Sequence, residues 1–422
     1  MRWSMLFLLV PAFLGGCSAV SGDPYDWTIT RKPERPYVHA YDRTLVMKVF
    51  LAEKQPGGNC KVHLTFEQAL DVIRRLDALT CGIPKIVYLV GWQYDGHDSK
   101  YPSWAEVNPR LKRAEDATAL DSLKWLMAEG FKHHTTVSLH INMFDAFEDS
   151  PLWQTYLTQD IVAKDKTGRP LPGEVFGDWK GPDTQSYQLS YAREWETGYA
   201  QKRIDALLAM LPIRKAGTIH IDAFHSRVPV RPKDDCVSPY LGYPLSKEVE
   251  AQRRILRYFR DQGVDVTCEG SLYDLRIDPF VGLQPMAWHY RVVAPGIPPS
   301  LYCGTPMQAE GEIKKDPVGL TGILEKFCLK VVPWYVENQG GTPLTGEDVC
   351  LPALWRERTL VAYSRAGCVR AWPLPPGWEG VGRVRVAAIT MDGPKPLGVV
   401  AVEGGAISLS LAPGQGVVVT AP

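Results

Sequence analysis

The chain has no excess of charge: Lys+Arg and Asp+Glu both number 47 among its 422 residues. Nucleic-acid binding normally leaves a basic patch or domain, so this balance gives no electrostatic reason to expect it. The apolar run Met5 to Leu14 is far too short for a permanent membrane helix, which needs about 20 residues. No Cys-x-x-Cys pair occurs among the nine cysteines, which argues against a structural zinc site. No repeat period points to a solenoid or propeller.

What is present is ordinary in bulk. Hydrophobic residues make up 45% and charged residues 22%, the balance of a globular protein able to bury a sizeable core. The 13 Trp and 18 Tyr weakly favour carbohydrate, because flat amphipathic rings stack on sugars as well as filling cores.

Arg2 and the run Met5–Leu14 fit the start and apolar centre of a signal peptide. Leu14-Gly15-Gly16-Cys17 resembles a bacterial lipobox, so the expectation is an exported lipoprotein, held to a membrane only through a lipid on Cys17. The alternative is an ordinary secretory signal with an incidental cysteine. The eight remaining cysteines permit disulfides without revealing any pairing. Cys268, inside a strand pattern, reads as a buried thiol.

Strand and helix patterns then alternate. Leu45–Leu51, Lys85–Val90, Thr135–Asn142, Thr218–Asp222 and Val264–Gly270 read as strands. Apolar spacing predicts helices over Thr65–Leu79, Glu115–Glu129, Arg193–Leu211 and Ser246–Gln262. Thr65 with Gln68 is a capping-box pattern. Pro285–Tyr290 and Leu329–Tyr335 read as later strands, and Ser150–Tyr191 as a long functional insertion. From Cys368 onward short strand-like runs are split by Gly and Pro. The predicted organisation is a signal peptide (1–17), a tether and entry segment (18–44), a (β/α)8 TIM-like barrel (45–367) and a small C-terminal antiparallel β domain (368–422).

Polar residues collect where these strands end: His97/Asp98, His140/Asn142, His220/Asp222 and Glu269. Strands of a parallel barrel point one way, so residues remote in sequence would line one pocket at its mouth. Asp222 and Glu269 are the candidate catalytic pair. If they face each other across a sugar, one can attack the anomeric carbon while the other protonates the leaving oxygen. Glu269, at the end of an apolar strand, suits the protonated acid; Asp222, with its short stem, suits the nucleophile. Trp92, Gln93, His97, Asp98, His140, Asn142, His220, His225 and Trp288 form the expected substrate-binding set, with no metal ligand assigned.

Plainer roles exist for each. A strand-end carboxylate can cap the next helix or brace a loop, and His97/Asp98 can be a loop-bracing pair. His140 and His220 could ligate a metal, and Trp92, Trp179 and Trp288 could be core or rim packing.

The stretch Gly91-Trp92-Gln93-Tyr94-Asp95-Gly96-His97-Asp98-Ser99, with Tyr101-Pro102 after it, resembles the corresponding loop of glycoside hydrolase family 101, the endo-α-N-acetylgalactosaminidases. It is also similar to that of family 129, which removes single α-linked N-acetylgalactosamine residues. His140-Ile141-Asn142 resembles the next strand end of these enzymes, and Asp222 and Glu269 fall where their nucleophile and acid/base lie. The resemblance covers about Leu45 to Glu269. It implies a retaining mechanism on mucin-type O-glycans, with His97, Asp98 and Asn142 hydrogen-bonding the sugar. By analogy with the exo-acting family a calcium ion could accompany the site, though no calcium loop is visible. The rival expectations are another retaining α-glycosidase such as an α-galactosidase, a glycan-binding lipoprotein without catalysis, and a metal hydrolase.

Overall fold

The computed structural model describes residues 35–175, 184–224, 236–268, 280, 282–285, 309–342 and 344–421. Strand β1 (Leu45–Phe50) is buried along its whole length, as expected of a parallel strand covered on both faces. A hairpin follows, β2 (Ala52–Gln55) and β3 (Asn59–Val62). Helix α1 (Phe66–Leu79) starts at the predicted capping box: Thr65 accepts from the Gln68 amide and the Gln68 side chain accepts from the Thr65 amide. It buries Phe66, Ala69, Val72, Ile73, Leu76 and Leu79 against the sheet.

The unit repeats with β4 (Lys85–Val90), α2 (Ala119–Gly130) and β5 (Thr135–Asn142). Helix α2 begins later than the predicted Glu115, because Thr118 and Asp121 form a second capping box there. The insertion that follows is structured. It holds β6 (Asp145–Ala146), α3 (Trp153–Thr158), β7 (Pro172–Val175) and β8 (Gln185–Gln188), with the three strands in a small sheet ordered β6-β8-β7.

The helix predicted over Arg193–Leu211 is two helices, α4 (Tyr191–Glu196) and α5 (Tyr199–Met210). Gly198 at φ 75° breaks them apart, a left-handed conformation no helix interior accepts. Next come α6 (Ile213–Ala216), β9 (Thr218–Asp222), α7 (Leu245–Asp261) and β10 (Asp265–Cys268). The strands β1-β4-β5-β9-β10 form one sheet in that order, every pair parallel. These are the five parallel strands among the described residues.

One predicted strand is a helix. After α8 (Glu310–Lys315) and α9 (Ile323–Lys326), Leu329–Tyr335 lies in a π-turn (Phe327–Val331) and α10 (Val332–Asn338). The buried residues are Phe327, Cys328, Val331, Val332, Pro333, Tyr335 and Val336, a helical recurrence rather than alternation. Pro333 is the second residue of α10, directly after the π-turn in one continuous helical run. The strand expected over Pro285–Tyr290 falls almost wholly outside the described residues.

The seven-stranded antiparallel sheet has the order β11-β12-β17-β14-β15-β16-β13. Its strands are β11 (Asp348–Pro352), β12 (Thr359–Ser364), β13 (Cys368–Pro373), β14 (Arg383–Ala388), β15 (Lys395–Glu403), β16 (Ala406–Leu411) and β17 (Gln415–Thr420). It therefore starts before residue 368. Strand β12 explains why: Leu360 and Ala362 face the sheet's own core while Val361 and Tyr363 join the core of the parallel body. Buried on both sides, it reads in sequence like one more parallel strand.

Candidate active site

Two glycines shape the loop after β4. A Cβ on Gly91 (φ 76°) would lie 1.9 Å from the Ala52 carbonyl oxygen, and one on Gly96 (φ 113°) 2.7 Å from the Ala52 carbonyl carbon. The loop thus folds onto the start of the β2–β3 hairpin, and the His97 amide donates to Ala52 O at 2.9 Å. Asp95 braces it, with Arg110 Nη1 at 2.9 Å and Lys100 Nζ at 3.3 Å. The result presents His97 and Asp98 at the C-terminal end of the sheet.

There they meet residues of β5 and β9. His97 Nε2 is 3.4 Å from Asp98 Oδ2, and His140 Nε2 is 3.7 Å from Asp222 Oδ1. His97, Asp98 and Asp222 each place a side-chain N or O within 4.8 Å of the others. Register accounts for this: His140 pairs with His220 and Asn142 with Asp222 across adjacent parallel strands. The rings of His97 and His140 meet edge to face at 5.4 Å, His140 stacks on His220 at 5.3 Å, and Tyr88 lies behind His220 at 5.2 Å.

The electrostatics are those of crowded buried acids. Burial raises the proton affinity of Asp98, opposed by His97, reinforced by Asp222, and opposed further by His140 and Lys54. Asp145 is pushed up to about 7, first by burial and then by Asp98, with hydrogen bonds from Asn142 and Ser186 pulling the other way and Asp222 adding to the rise. Such displaced carboxyls gather where acid/base chemistry is done, although structural clusters show them too.

Of the predicted residues, His97, Asp98, His140 and Asp222 come together. Asn142 stands next to Asp222, but its carboxamide is occupied: Nδ2 donates to Asp145 Oδ2 at 2.8 Å, while Oδ1 accepts from the amides of Phe144 and Asp145. It shapes a turn, and a sugar would have to share it. Trp92 is fully buried and donates Nε1–H to His140 O, so it is core and offers no stacking face. His220 is also fully buried, with Nδ1 2.8 Å from Thr267 Oγ1; it lies behind the site. Gln93 Nε2 donates to Tyr101 OH at 3.1 Å, and its buried Oε1 has no partner among the described residues. Glu269, His225, Trp288 and Trp179 lie outside the described residues. Cys268 is buried as expected, its Sγ beside Gln284 Oε1.

Sequence reasoning missed Asp145, Tyr101 and Lys54. Lys54, on the hairpin after β1, is buried with Nζ 4.0 Å from the Phe147 ring centroid, and its positive charge favours the ionised form of Asp98. An Asn-x-x-Asp turn after a strand was the available signal for Asp145; a lysine just past an apolar strand was the signal for Lys54.

His97, Asp98 and Asp222 are the group among the described residues that could hold a metal ion. One imidazole and two carboxylates do not supply the six to eight oxygens calcium takes, so the arrangement does not fit the calcium ion raised by analogy.

Part of the chain is similar to known proteins. Residues 59–257 match the family model Glyco_hydro_101, described as endo-alpha-N-acetylgalactosaminidase. Among solved structures, ligand-free alpha-N-acetylgalactosaminidase NagBb from Bifidobacterium bifidum shows 13% identity and a TM-score of 0.45, covering 68% of this chain and 43% of that one. Its GalNAc complex shows 14% and 0.44, covering 62% and 40%. TtGalA, an alpha-galactosidase from Thermus thermophilus, shows 15% and 0.37, covering 60% and 42%. The chain thus spans less than half the length of these proteins. The stretch similar to that family, residues 59–257, carries the His97–Asp98 loop and Asp222.

Proposed function

We propose that the protein is a retaining glycoside hydrolase acting on α-linked N-acetylgalactosamine of mucin-type O-glycans. The observation that carries this reading is the convergence of His97, Asp98, His140 and Asp222 at the ends of adjacent parallel strands, within the stretch that matches the family. The reading completes the described strands into an eight-stranded barrel, and it takes the protein to be exported and lipid-anchored at Cys17.

In this mechanism Asp222 attacks the anomeric carbon as Glu269 gives its proton to the departing glycosidic oxygen. The C–O bond breaks and a covalent glycosyl-Asp222 ester forms. Glu269 then takes a proton from water, whose oxygen attacks the anomeric carbon and releases Asp222, so the configuration is kept. The His140 imidazole beside Asp222 Oδ1 can orient the carboxylate. His97 and Asp98 can hydrogen-bond sugar hydroxyls.

A panel of aryl α-glycosides tests the reading. The expected result is release from the α-N-acetylgalactosaminide and little from the α-galactoside. Preference for the α-galactoside would make the protein a different retaining α-glycosidase. Sugar affinity without any turnover would leave a glycan-binding lipoprotein.

A further inference from the structure

Arg203 on α5 is 7% exposed and Glu194 on α4 is fully buried. Nη2 of Arg203 donates to Glu194 Oε2 at 2.8 Å, and Nε lies 2.6 Å from Oε1, off the axis of a hydrogen bond. Its Nη1 goes elsewhere, donating to the carbonyls of Pro102 at 3.2 Å and Asn142 at 3.4 Å. The guanidinium also covers the Trp104 ring, 4.3 Å from its centroid.

Those two carbonyls belong to the segments that build the site. Pro102 follows the His97–Asp98 loop, and Asn142 ends β5 and holds Asp145. A direct link joins the same segments, the Phe147 amide donating to Tyr101 O at 2.9 Å. Tyr156 of α3 donates its hydroxyl to Glu194 Oε1 at 2.7 Å, so the insertion is tied to the same pair. Replacing a buried ion pair with packed apolar groups is often neutral or stabilising. Stability alone therefore gives little reason for this pair, whereas a planar five-donor fork is suited to holding several carbonyls at once.

We infer that Arg203, oriented by Glu194, is a positioning residue that clamps the His97–Asp98 loop and the Asn142–Asp145 turn in fixed relation to Asp222. The inference rests on the proposed hydrolase reading for its effect on turnover, and on geometry alone for its effect on the two segments.

The test compares wild type with Arg203→Lys and with the triple variant Glu194→Met, Arg203→Met, Tyr156→Phe, which removes the charges and leaves no hydroxyl without its acceptor. Melting temperature, kcat and KM on the aryl α-N-acetylgalactosaminide, and hydrogen exchange are measured on each. The triple variant should melt within about 5 °C of wild type yet lose kcat by roughly 10- to 100-fold, with KM changed much less. Exchange at Ser103 and at Met143–Asp145 should quicken. Should the triple variant fail to fold, Arg203→Lys carries the same expectation, because a compact ammonium lacks the planar fork whose separate nitrogens reach the carbonyls and the carboxylate. Wild-type kcat together with unchanged exchange in a folded variant overturns the inference. A wild type that hydrolyses no glycoside defeats the hydrolase reading instead, and the exchange measurement still decides the clamp.

Discussion

His140 Nε2 stands 3.7 Å from Asp222 Oδ1, and the face of the same imidazole is stacked on His220. The two histidines are register partners on neighbouring parallel strands, yet they do different work. His140 faces the carboxylate that would attack the sugar. His220, fully buried between Tyr88 and His140, supports it from behind.

Replacing each with phenylalanine separates the roles. His140→Phe keeps the stack and removes the nitrogen beside Asp222, so kcat should fall by about 10²-fold with little change in melting temperature. His220→Phe loses the hydrogen bond to Thr267 and should cost about 1–3 kcal/mol of stability with a smaller effect on kcat. Equal kinetic losses in the two variants, measured on folded protein, would contradict this division.

Asp145 predicts a pH dependence of stability. Its folded-state value is pushed from 3.8 up to about 7, so between those values the native state binds more protons than the unfolded chain. The sign follows: this contribution is fully present below about pH 4 and is lost as pH rises through about 7. Asp145→Asn removes the titration, so its melting temperature should gain on wild type from pH 4 to pH 8. The gain is on the order of 1–4 kcal/mol when fully developed. Parallel melting curves across that range would rule the effect out.

The loop carrying His97 and Asp98 depends on a close backbone approach. Gly91→Ala drives a Cβ into the Ala52 carbonyl at 1.9 Å and should displace the loop, abolishing activity and lowering stability by several kcal/mol, roughly the range of strained core changes. Gly198 also has positive φ, at 75°, but nothing lies within 4 Å of its would-be Cβ. Gly198→Ala should therefore cost only about 1 kcal/mol and leave kcat alone. Thermal melts and turnover on both variants check the contrast.

Metal removal distinguishes a carboxylate mechanism from a metal-dependent one. Activity should survive exhaustive chelation, because His97 and the two acids are assigned to sugar contacts and nucleophilic attack. Loss on chelation, with recovery on adding one divalent ion, would instead make His97, Asp98 and Asp222 ligands.

The parallel sheet was legible because its strands are rich in apolar and β-branched residues and its helices announce themselves at their caps, Thr65 with Gln68 above all. The convergence of His97, Asp98, His140 and Asp222 followed from strand direction, which is a property of the fold class rather than of any one residue. Leu329–Tyr335 misled because a short apolar run holds too few residues to separate alternation from a helical period. Asn142 carries a second role that the sequence left unmarked: its side chain closes a turn onto Asp145, a local alternative open to any Asn. Lys54 and Arg203 were hidden for another reason. One stands on the hairpin after β1, marked only by its place just past an apolar strand; the other approaches from beneath, and nothing in the spacing of its neighbours marks it.

The central claim is that Asp222 is the nucleophile and Glu269 its acid/base partner. Asp222→Ala and Glu269→Ala, each assayed on an activated aryl α-N-acetylgalactosaminide with and without azide, test it most directly. The account predicts that Asp222→Ala is inert alone and turns over with azide to the β-glycosyl azide, while Glu269→Ala gives the α-azide. Wild-type turnover by Asp222→Ala without azide, or the same anomer from both variants, would contradict it.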